Sequence, residues 1–348
     1  MNVQENVPLA PLTTFHIGGP ARYFVEATTA DEVKEAVAFA RSHALPLFVL
    51  GGGSNLLISD KGWPGLVLRI SILGINHVHG RDRAIFEVGA GEDWDGFVAS
   101  IVAHRLGGIE CLSGIPGSVG GAPVQNVGAY GQEAAETIES VQVLDVRSGE
   151  SIELSKEDCG FRYRTSIYNT TERGRYVILQ VNFSLRHGTS PHLEYGDLQR
   201  YFSAWPSAPT LAETREAVLK IRASKAMLIT PHDADSRSAG SFFKNPVLSA
   251  HEHEELLRRA IQKGLTVPSY PALESQHKVS AAWLVEHSGF SKGYRRGNAG
   301  ISRKHALAIV NLGGASAAEI VALKENIQHE VREAWGVALE PEPVFVGF

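Results

Sequence analysis

Apolar positions recur at helical spacing in several parts of the chain, and four of these runs follow a cap. Thr29–Glu32 reads as a capping box, in which a hydroxyl and a carboxylate satisfy the first N–H groups of a helix. One helical face then carries Val33, Ala36, Val37 and Ala40. We expect this helix to end near His43. Equivalent boxes predict further helix starts at Thr210–Glu213, Ser249–Glu252 and Ser316–Glu319, the last helix ending at Gly336.

Other stretches have the patterns of strands. Leu45–Leu50 is a short apolar run that leads directly into glycines, as a buried strand would. Alternating or apolar runs predict further strands at residues 65–70, 84–90, 140–146 and 176–185, and an extended segment at 339–348. A second apolar helix face consists of Trp94, Phe97, Val98, Ile101 and Val102. The chain of 348 residues is long for one core, so we expect an α+β protein with a domain boundary between Leu185 and Tyr195.

Composition narrows the class of protein. Hydrophobic residues make up 43% and charged residues 20%, which is ordinary for a globular protein, and the net charge of −5 gives no general attraction to nucleic acid or anionic membranes. Cys111 and Cys159 are the two cysteines and form no CxxC motif. The N-terminus lacks a signal-peptide pattern, and the apolar runs are too short to span a bilayer. We therefore expect a cytoplasmic protein with reduced thiols and no membrane insertion.

Two glycine-rich loops are candidate phosphate-binding elements. The first glycine loop, Gly51–Asn55, offers several N–H groups without intervening side chains, although it fits neither a Rossmann fingerprint nor a Walker loop. A tight turn after a strand is an equally good interpretation of this loop alone. The second glycine loop, Gly114–Gly121, is followed by Gln125, Asn126 and Tyr130. Two such loops suit a diphosphate cofactor better than a pair of packing turns, but a sugar-nucleotide fold is also compatible.

The remaining polar motifs are individually ambiguous. Arg162 and Arg164 would share one face if Phe161–Ser166 were a strand, and could then clamp a carboxylate, although a surface pair is the commoner case. The Ser241 segment, Ser238–Pro246, combines a hydroxyl, two aromatic rings, an ammonium and an amide. Ser241 could donate a proton if Lys225 or Lys244 polarised it, or could merely bond in a turn.

Two further motifs concern carboxylates and metals. Glu342 lies between two prolines, which would aim its carboxylate rigidly or simply order a structural tail. His251–Glu255 does not complete an HExxH zinc motif, because position 255 is glutamate rather than histidine. We therefore expect no metal.

The motifs match one family when they are taken together and in order. These are Gly51–Asn55, Ile115–Gly121, Pro123–Gly131, Tyr163–Ser166, Ala239–Pro246 and Leu339–Glu342. In this combination the chain closely resembles the UDP-N-acetylenolpyruvoylglucosamine reductases, from Thr14 to Phe348. Leu193–Leu198 further resembles the subgroup with a tyrosine-bearing loop over the substrate.

The resemblance implies an FAD-binding half of the PCMH/vanillyl-alcohol-oxidase type and a separate α+β substrate-binding domain. The FAD-binding region would be residues 1–190, in two lobes of about 1–70 and 71–190, and the substrate domain 191–348, with the tail 339–348 returning to the active site. FAD would be bound without a covalent link. Its implied contacts are Gly51, Gly52, Gly53, Ser54, Asn55, Ile115, Pro116, Gly117, Ser118, Gly121, Gln125, Asn126, Gly128, Ala129, Tyr130 and Ile178.

The resemblance also implies the chemistry. NADPH would reduce FAD, and the enolpyruvyl ether would then receive a hydride at its methylene carbon and a proton at the next carbon. Ser241 matches the proton donor, and Arg164 and Glu342 match the pair that attends the developing charge. Implied substrate contacts are Tyr195, Lys225, Lys244, Asn245, Tyr270 and Lys278. The expected protein is a monomer with a small-molecule substrate, and the alternatives are another flavin oxidoreductase of this fold or a non-catalytic sugar-nucleotide binder.

Overall fold

The computed structural model describes residues 1–272 and 275–348 and is a mixture of helices and strands, as the α+β prediction requires. The helices are α1 Ala30–Ser42, α2 Trp94–Ala103, α3 Gly196–Phe202, α4 Leu211–Ser224, α5 Ala250–Gln262, α6 Ala281–Glu286 and α7 Ala317–Trp335. The strands are β1 Gln4–Pro8, β2 Pro20–Ala27, β3 Leu47–Leu50, β4 Leu56–Ile58, β5 Trp63–Ile70, β6 Ile75–His79, β7 Arg83–Gly89, β8 Leu106–Gly107, β9 Gly128–Ala129, β10 Gln132–Glu133, β11 Ile138–Asp145, β12 Ser151–Ser155, β13 Tyr176–His187, β14 Val247–Leu248, β15 Ser269–Pro271, β16 His277–Val279, β17 Arg295–Arg296, β18 Ala299–Ile301, β19 Ile309–Asn311 and β20 Val344–Val346.

The chain forms two compact units, each built from segments that are distant in sequence. The first unit contains Met1–Val7, Ala21–Gly53 and Trp63–Ser224. The second contains Pro8–Pro20, Ser54–Gly62 and Lys225–Phe348. In this division residues 191–224 belong to the first unit. The domain boundary near residue 190 stays a prediction, because spatial compactness and ligand-binding function are separate criteria.

The first unit has two principal sheets and a continuous apolar core. One sheet has the order β1-β2-β5-β3, in which β5 pairs in parallel with β2 and β3. The other has the order β12-β11-β13-β7-β6 and is antiparallel. Helix α2 packs Phe97 against Phe183 of β13, with the ring centroids 4.9 Å apart. Burial of such aromatic pairs and of the apolar face of α1 stabilises this unit.

The second unit is built around α7. Its buried face carries Ile320, Leu323, Ile327 and Val331 at helical spacing. Small antiparallel sheets, β14-β16-β15 and β17-β18-β19, contribute to the same core. Strand β20 pairs in parallel with β4, so the end of the sequence lies beside residues 56–58.

The four predicted helix starts are confirmed. Reciprocal side-chain and backbone bonds close the capping boxes of α4, α5 and α7. At α1, Thr29 caps Glu32 N–H, but the Glu32 carboxylate accepts from Thr28 N–H rather than from Thr29. Helix α7 ends at Gly336, whose φ of 73° suits glycine. Among the residues that the structure describes, no helix combines the length and apolar character needed to cross a membrane.

Candidate functional site

Gly51 and Gly52 of the first glycine loop lie against the second glycine loop in the first unit, whereas Ser54 and Asn55 of the first loop belong to the second unit. A Cβ on Gly52 would lie 2.6 Å from Gly117 Cα and 2.9 Å from Ser118 N, and a Cβ on Gly51 would lie 2.8 Å from Ser118 Oγ. Such distances leave no room for any side chain at these positions. The loops therefore present peptide groups side by side, which is the kind of surface that can hold a diphosphate.

Neighbouring elements fix the second glycine loop. Gly117 O accepts from Trp94 N at the start of α2, and Gly120 N donates to Ala90 O at 2.9 Å. At its beginning, Gly114 N donates to Asp95 Oδ1 at 2.6 Å. Burial acts to raise the pKa of Asp95, but hydrogen bonds from Arg215 and Gly114 outweigh it and leave the pKa lowered.

Arg222 is a buried cation that the sequence analysis missed. It lies on α4, its Nε donates to Gly114 O at 3.1 Å, and its guanidinium bonds to the Tyr130 hydroxyl. Burial raises the pKa of Tyr130 to about 12, although Arg222 acts in the opposite direction. The sequence does contain a signal for its burial. Thr214, Val218 and Arg222 are spaced four residues apart and therefore lie on the same, buried face of α4.

Four other predicted cofactor residues of this unit lie on β9, on β13 and in the turn before β9. Asn126 is buried and its side chain is fully used, since it donates to Glu133 Oε2 and Arg162 O and accepts from Ala135 N. Gly128 and Ala129 form β9, which pairs with β10. Ile178 is buried on β13 opposite Val143 of β11.

Arg164 lies in a tight turn and not in a strand. Arg162 and Thr165 exchange reciprocal main-chain hydrogen bonds of 2.9 and 3.0 Å, which places Tyr163 and Arg164 at the turn positions. Arg164 has a φ of 55°, and its Nη2 donates to Gly128 O at 2.6 Å. The condition under which Arg162 and Arg164 would share a strand face is therefore not met, because local hydrogen bonds reverse the chain here.

Tyr195 also belongs to the first unit. It precedes α3 as its N-cap, and its ring meets that of Tyr130 edge to face, with centroids 5.4 Å apart. Tyr130 is buried whereas 46% of Tyr195 is exposed. The structure thus joins a predicted substrate residue to a predicted cofactor residue within one unit.

In the second unit, main-chain hydrogen bonds hold both sides of Ser241. Ser238 Oγ accepts from Gly240 N, Gly240 has a φ of 75°, and Phe242 N donates to Leu307 O at 2.7 Å. Ser241 is half-buried, and within the described ranges its hydroxyl makes no protein hydrogen bond. The main chain therefore fixes the position from which the Ser241 side chain extends. Its O–H group can donate a hydrogen bond to a ligand.

The tail containing Glu342 runs beside the Ser241 segment. Glu342 N donates to Phe242 O at 2.9 Å, and Lys244 N donates to Glu340 O at 3.0 Å. Asn55 holds the same tail: its Nδ2 donates to Glu342 O at 3.3 Å and its O accepts from Val344 N at 2.9 Å. The structure therefore brings Ser241, Glu342 and Asn55 together in one unit.

Two of the predicted substrate residues of the second unit lie opposite each other in one small sheet. Lys278 on β16 lies opposite Tyr270 of β15 and Val247 of β14. Asn245 Oδ1 accepts from Ala281 N at the start of α6, and Lys244 Nζ lies 3.5 Å from Glu340 Oε2. Lys225 directly follows α4. Within residues 1–272 and 275–348, no group of three or more His, Cys, Asp or Glu side chains is arranged to hold a metal ion.

Comparison with known proteins gives consistent results over the whole chain. Residues 21–155 match the FAD binding domain, and residues 231–346 match the UDP-N-acetylenolpyruvoylglucosamine reductase C-terminal domain. The UDP-N-acetylenolpyruvoylglucosamine reductase of Streptomyces coelicolor is 46% identical over 99% of this chain and 91% of its own length. That of Thermobifida fusca is 44% identical over 99% of this chain and 98% of its own length.

A solved structure matches the fold. The crystal structure of UDP-N-acetylenolpyruvylglucosamine reductase from Thermus caldophilus superposes with a TM-score of 0.69, at 28% identity, and covers 99% of each chain. The prediction of an FAD-binding N-terminal half joined to a separate α+β domain is thereby confirmed. The chain belongs to the UDP-N-acetylenolpyruvoylglucosamine reductase family.

Proposed function

We propose that this protein is an FAD-dependent reductase that uses NADPH to convert UDP-N-acetylglucosamine enolpyruvate into UDP-N-acetylmuramate for peptidoglycan synthesis. The observation that carries the proposal is the near full-length match at 44–46% identity to reductases of this name. The main-chain bonds between the Ser241 segment and the Glu342 tail are consistent with it.

The two glycine loops are the proposed site for the diphosphate of FAD. Their main chains approach closely at Gly52 and Gly117, where no side chain separates the two loops. When bound, FAD supplies the carrier that takes a hydride from NADPH and passes it to the methylene carbon of the enolpyruvyl group. Tyr130, fixed by Arg222, would line the same site.

Ser241 is the proposed proton donor. After hydride arrives at the methylene carbon, the adjacent carbon carries negative charge shared with its carboxylate, and a proton must reach that carbon. The hydroxyl of Ser241 has no protein acceptor within the described residues, and the main chain on either side is held by Gly240 and Phe242. A donor held in this way delivers its proton to one face of the substrate, which sets the configuration of the product, and the serine oxygen regains a proton from water.

Arg164 and Glu342 are the residues proposed to act on the negative charge that develops on the substrate. A guanidinium interacts more strongly with the reacting carboxylate as charge builds on it, so it lowers the barrier. The turn that contains Arg164 and its bond to Gly128 O limit the positions that its guanidinium can take. The main chain of Glu342 is bonded to that of Phe242, which directly follows Ser241. The Glu342 carboxylate would therefore lie near Ser241, where it would orient the reacting groups and exchange protons.

The proposed contacts of the substrate's UDP group are the residues that the family resemblance implies. Tyr195 would cover the substrate as the tyrosine of its loop, and the other proposed contacts are Lys225, Lys244, Asn245, Tyr270 and Lys278. Lysines suit a diphosphate because their ammonium groups are compact positive charges. The Tyr270–Lys278 cross-strand pair places one aromatic and one cationic side chain at the same point of the small sheet.

We further propose that the protein acts in the cytoplasm, as a monomer and without nucleic-acid partners. Nucleotide sugars and NADPH are cytoplasmic metabolites, and the net charge of −5 provides no general attraction to nucleic acid. Light scattering at working concentration measures the molar mass in solution and so tests this expectation. The mass of a dimer would contradict it.

Stopped-flow absorbance tests the function directly. NADPH should bleach the flavin, and only the enolpyruvyl sugar nucleotide should restore its absorbance rapidly. A flavin reduced instead by sugars or alcohols would indicate another oxidoreductase of this fold, and ligand binding without reduction would indicate a non-catalytic binder.

The Ser241→Ala variant tests the mechanism. We expect reduction by NADPH to stay near the wild-type rate and reoxidation by substrate to slow by about 10²–10⁴. The exposed Ser291→Ala is the matched control in the same unit. Equal slowing of both half-reactions would contradict the assigned role.

A further inference from the structure

Glu110 is a carboxylate buried in the first unit without a catalytic role assigned to it. Only 1% of the residue is exposed. Its Oε2 accepts from Gly108 N at 2.8 Å, and its Oε1 accepts from Gln132 Nε2 at 2.9 Å and from His192 N at 3.1 Å. A carboxylate is costly to bury unless its oxygens are well bonded, so this arrangement holds its three donors in a defined geometry.

The neighbouring Cys111 completes the arrangement. Cys111 N donates to Gln132 Oε1 at 2.8 Å, which turns the Gln132 amide so that its Nε2 faces Glu110. Cys111 Sγ donates to His192 O at 3.3 Å. Two consecutive residues therefore hold both the N–H and the carbonyl of His192.

His192 lies three residues before Tyr195, so fixing it limits where the tyrosine can go. The His192 ring lies against Gly131, where a Cβ would come within 2.6 Å of His192 Nε2. The Tyr195 ring meets Tyr130. Residues 192–195 and 130–132 are thus joined at three successive points: the carboxylate of Glu110, the ring of His192 and the ring of Tyr195.

We propose that Glu110 is a positioning residue for substrate binding, which acts by anchoring the Tyr195 segment, His192–Tyr195, to the Tyr130–Gln132 loop. This inference rests on the proposed function, in which Tyr195 contacts the UDP group of the substrate. Without the carboxylate, His192 N–H loses its acceptor and the segment shifts away from Tyr130. Binding of the UDP group weakens as a result.

Substitution Glu110→Gln tests the anchor, because the amide keeps the size of the carboxylate but has one acceptor oxygen, which cannot serve Gly108 N–H together with the Gln132 and His192 N–H groups. In the flavin-loaded enzyme we expect the dissociation constant of UDP to rise about tenfold, the usual effect of losing one hydrogen bond to a charged group. Flavin content should be unchanged, and hydrogen exchange of the His192 amide should accelerate. Glu157→Gln, an exposed glutamate of the same unit, is the matched control and should alter none of these.

A double-mutant cycle with Tyr195→Ala separates positioning from general destabilisation. If Glu110 acts through Tyr195, Glu110→Gln changes UDP affinity by less than about twofold in the Tyr195→Ala background. Fully additive effects would overturn the proposal, and so would an unchanged exchange rate at His192. Should Tyr195→Ala alone leave UDP affinity unchanged, the proposed role of Tyr195 fails, while exchange at His192 still supports or refutes the anchor.

A second variant covers the case in which Glu110→Gln does not fold. Cys111→Ala removes the thiol donor to His192 O and leaves the Glu110 carboxylate in place. We expect the same direction of change in UDP affinity and in exchange at His192, with a smaller size because a thiol is a weak donor. Wild-type values for both would overturn the anchor.

Discussion

The main-chain N–H of Glu342 donates to the main-chain carbonyl of Phe242 at 2.9 Å. Phe242 directly follows Ser241, so a residue proposed to orient charge and a residue proposed to donate a proton are separated by one hydrogen bond and one peptide unit. Strand β20 begins two residues after Glu342 and pairs with β4. The position of Glu342 therefore depends on a strand that contacts no proposed ligand.

Ending the chain at Pro343 tests this dependence, because it removes β20. We expect a lower melting temperature and a reoxidation half-reaction slowed by about 10² or more, while NADPH still reduces the flavin. Removal of Phe348 alone is the control, since that residue is 64% exposed and follows the strand. Normal reoxidation in the shorter chain would show that Glu342 needs no support from β20.

Arg164→Lys should be damaging despite the retained charge. An ammonium cannot reproduce the planar, multiply donating guanidinium with which Arg164 bonds Gly128 O. We expect kcat to fall by about 10²–10³. Arg162→Lys, an exposed position in the same turn, is the control. Equal kinetics for the two variants would exclude a special role for Arg164.

Gly52→Ala should separate the two glycine loops. Its new methyl group would lie 2.6 Å from Gly117 Cα and 2.7 Å from Gly117 C, and main-chain atoms cannot move aside as a flexible side chain can. We expect a loss of stability of about 1–3 kcal/mol and a purified protein with little bound flavin. Gly196→Ala is the control, because its nearest neighbour is Arg200 Nη1 at 3.4 Å. Full flavin content in Gly52→Ala would contradict the proposed cradle.

His253 should make the stability of the second unit depend on pH. It is buried and stacked on His277, with centroids 4.0 Å apart, and no partner for its Nε2 is found in the described part of the chain. Burial lowers the pKa of His253 below its ordinary value of 6.5, and the neighbouring His277 lowers it further.

The folded state therefore binds this proton less readily than the unfolded state does. Stability is fully present above pH 6.5 and falls as the pH drops from there through the lower folded-state pKa. Melting temperatures between pH 7.5 and 5 should fall less for His253→Leu than for the wild type, while His251→Leu, an exposed position, should follow the wild type. Parallel curves for all three would exclude His253 as the source.

The local sequence was enough to predict the helix starts. It did not reveal the turn at residues 162–165, which main-chain hydrogen bonds close. Ser249 and Ser316 bond to glutamates three residues away, so the pattern and the cause lie in the same few residues. Arg162 and Arg164 alternate as they would in a strand, but reciprocal bonds between Arg162 and Thr165 reverse the chain. Alternation alone does not distinguish the two cases.

Contacts between segments that are distant in the sequence could not be predicted from local patterns. The extended tail was predicted, but nothing in residues 344–346 indicates that their partner is β4, nearly three hundred positions earlier. Glu110 did leave a signal, since it is a single charge between Ile109 and Cys111 in an otherwise apolar stretch. Its partners His192 and Gln132 could not be inferred, because they depend on where two later loops return.

The pairing of β20 with β4 also limits the order in which parts of the molecule can fold during translation. A ribosome delivers residues 56–58 early and residues 344–346 very late, so β4 must wait without its neighbour through most of translation. The first unit ends at Ser224 and faces no such delay. The segment of the proposed proton donor Ser241 should therefore become ordered last, and a nascent chain that stalls after Ser224 would hold the first unit without a complete second unit.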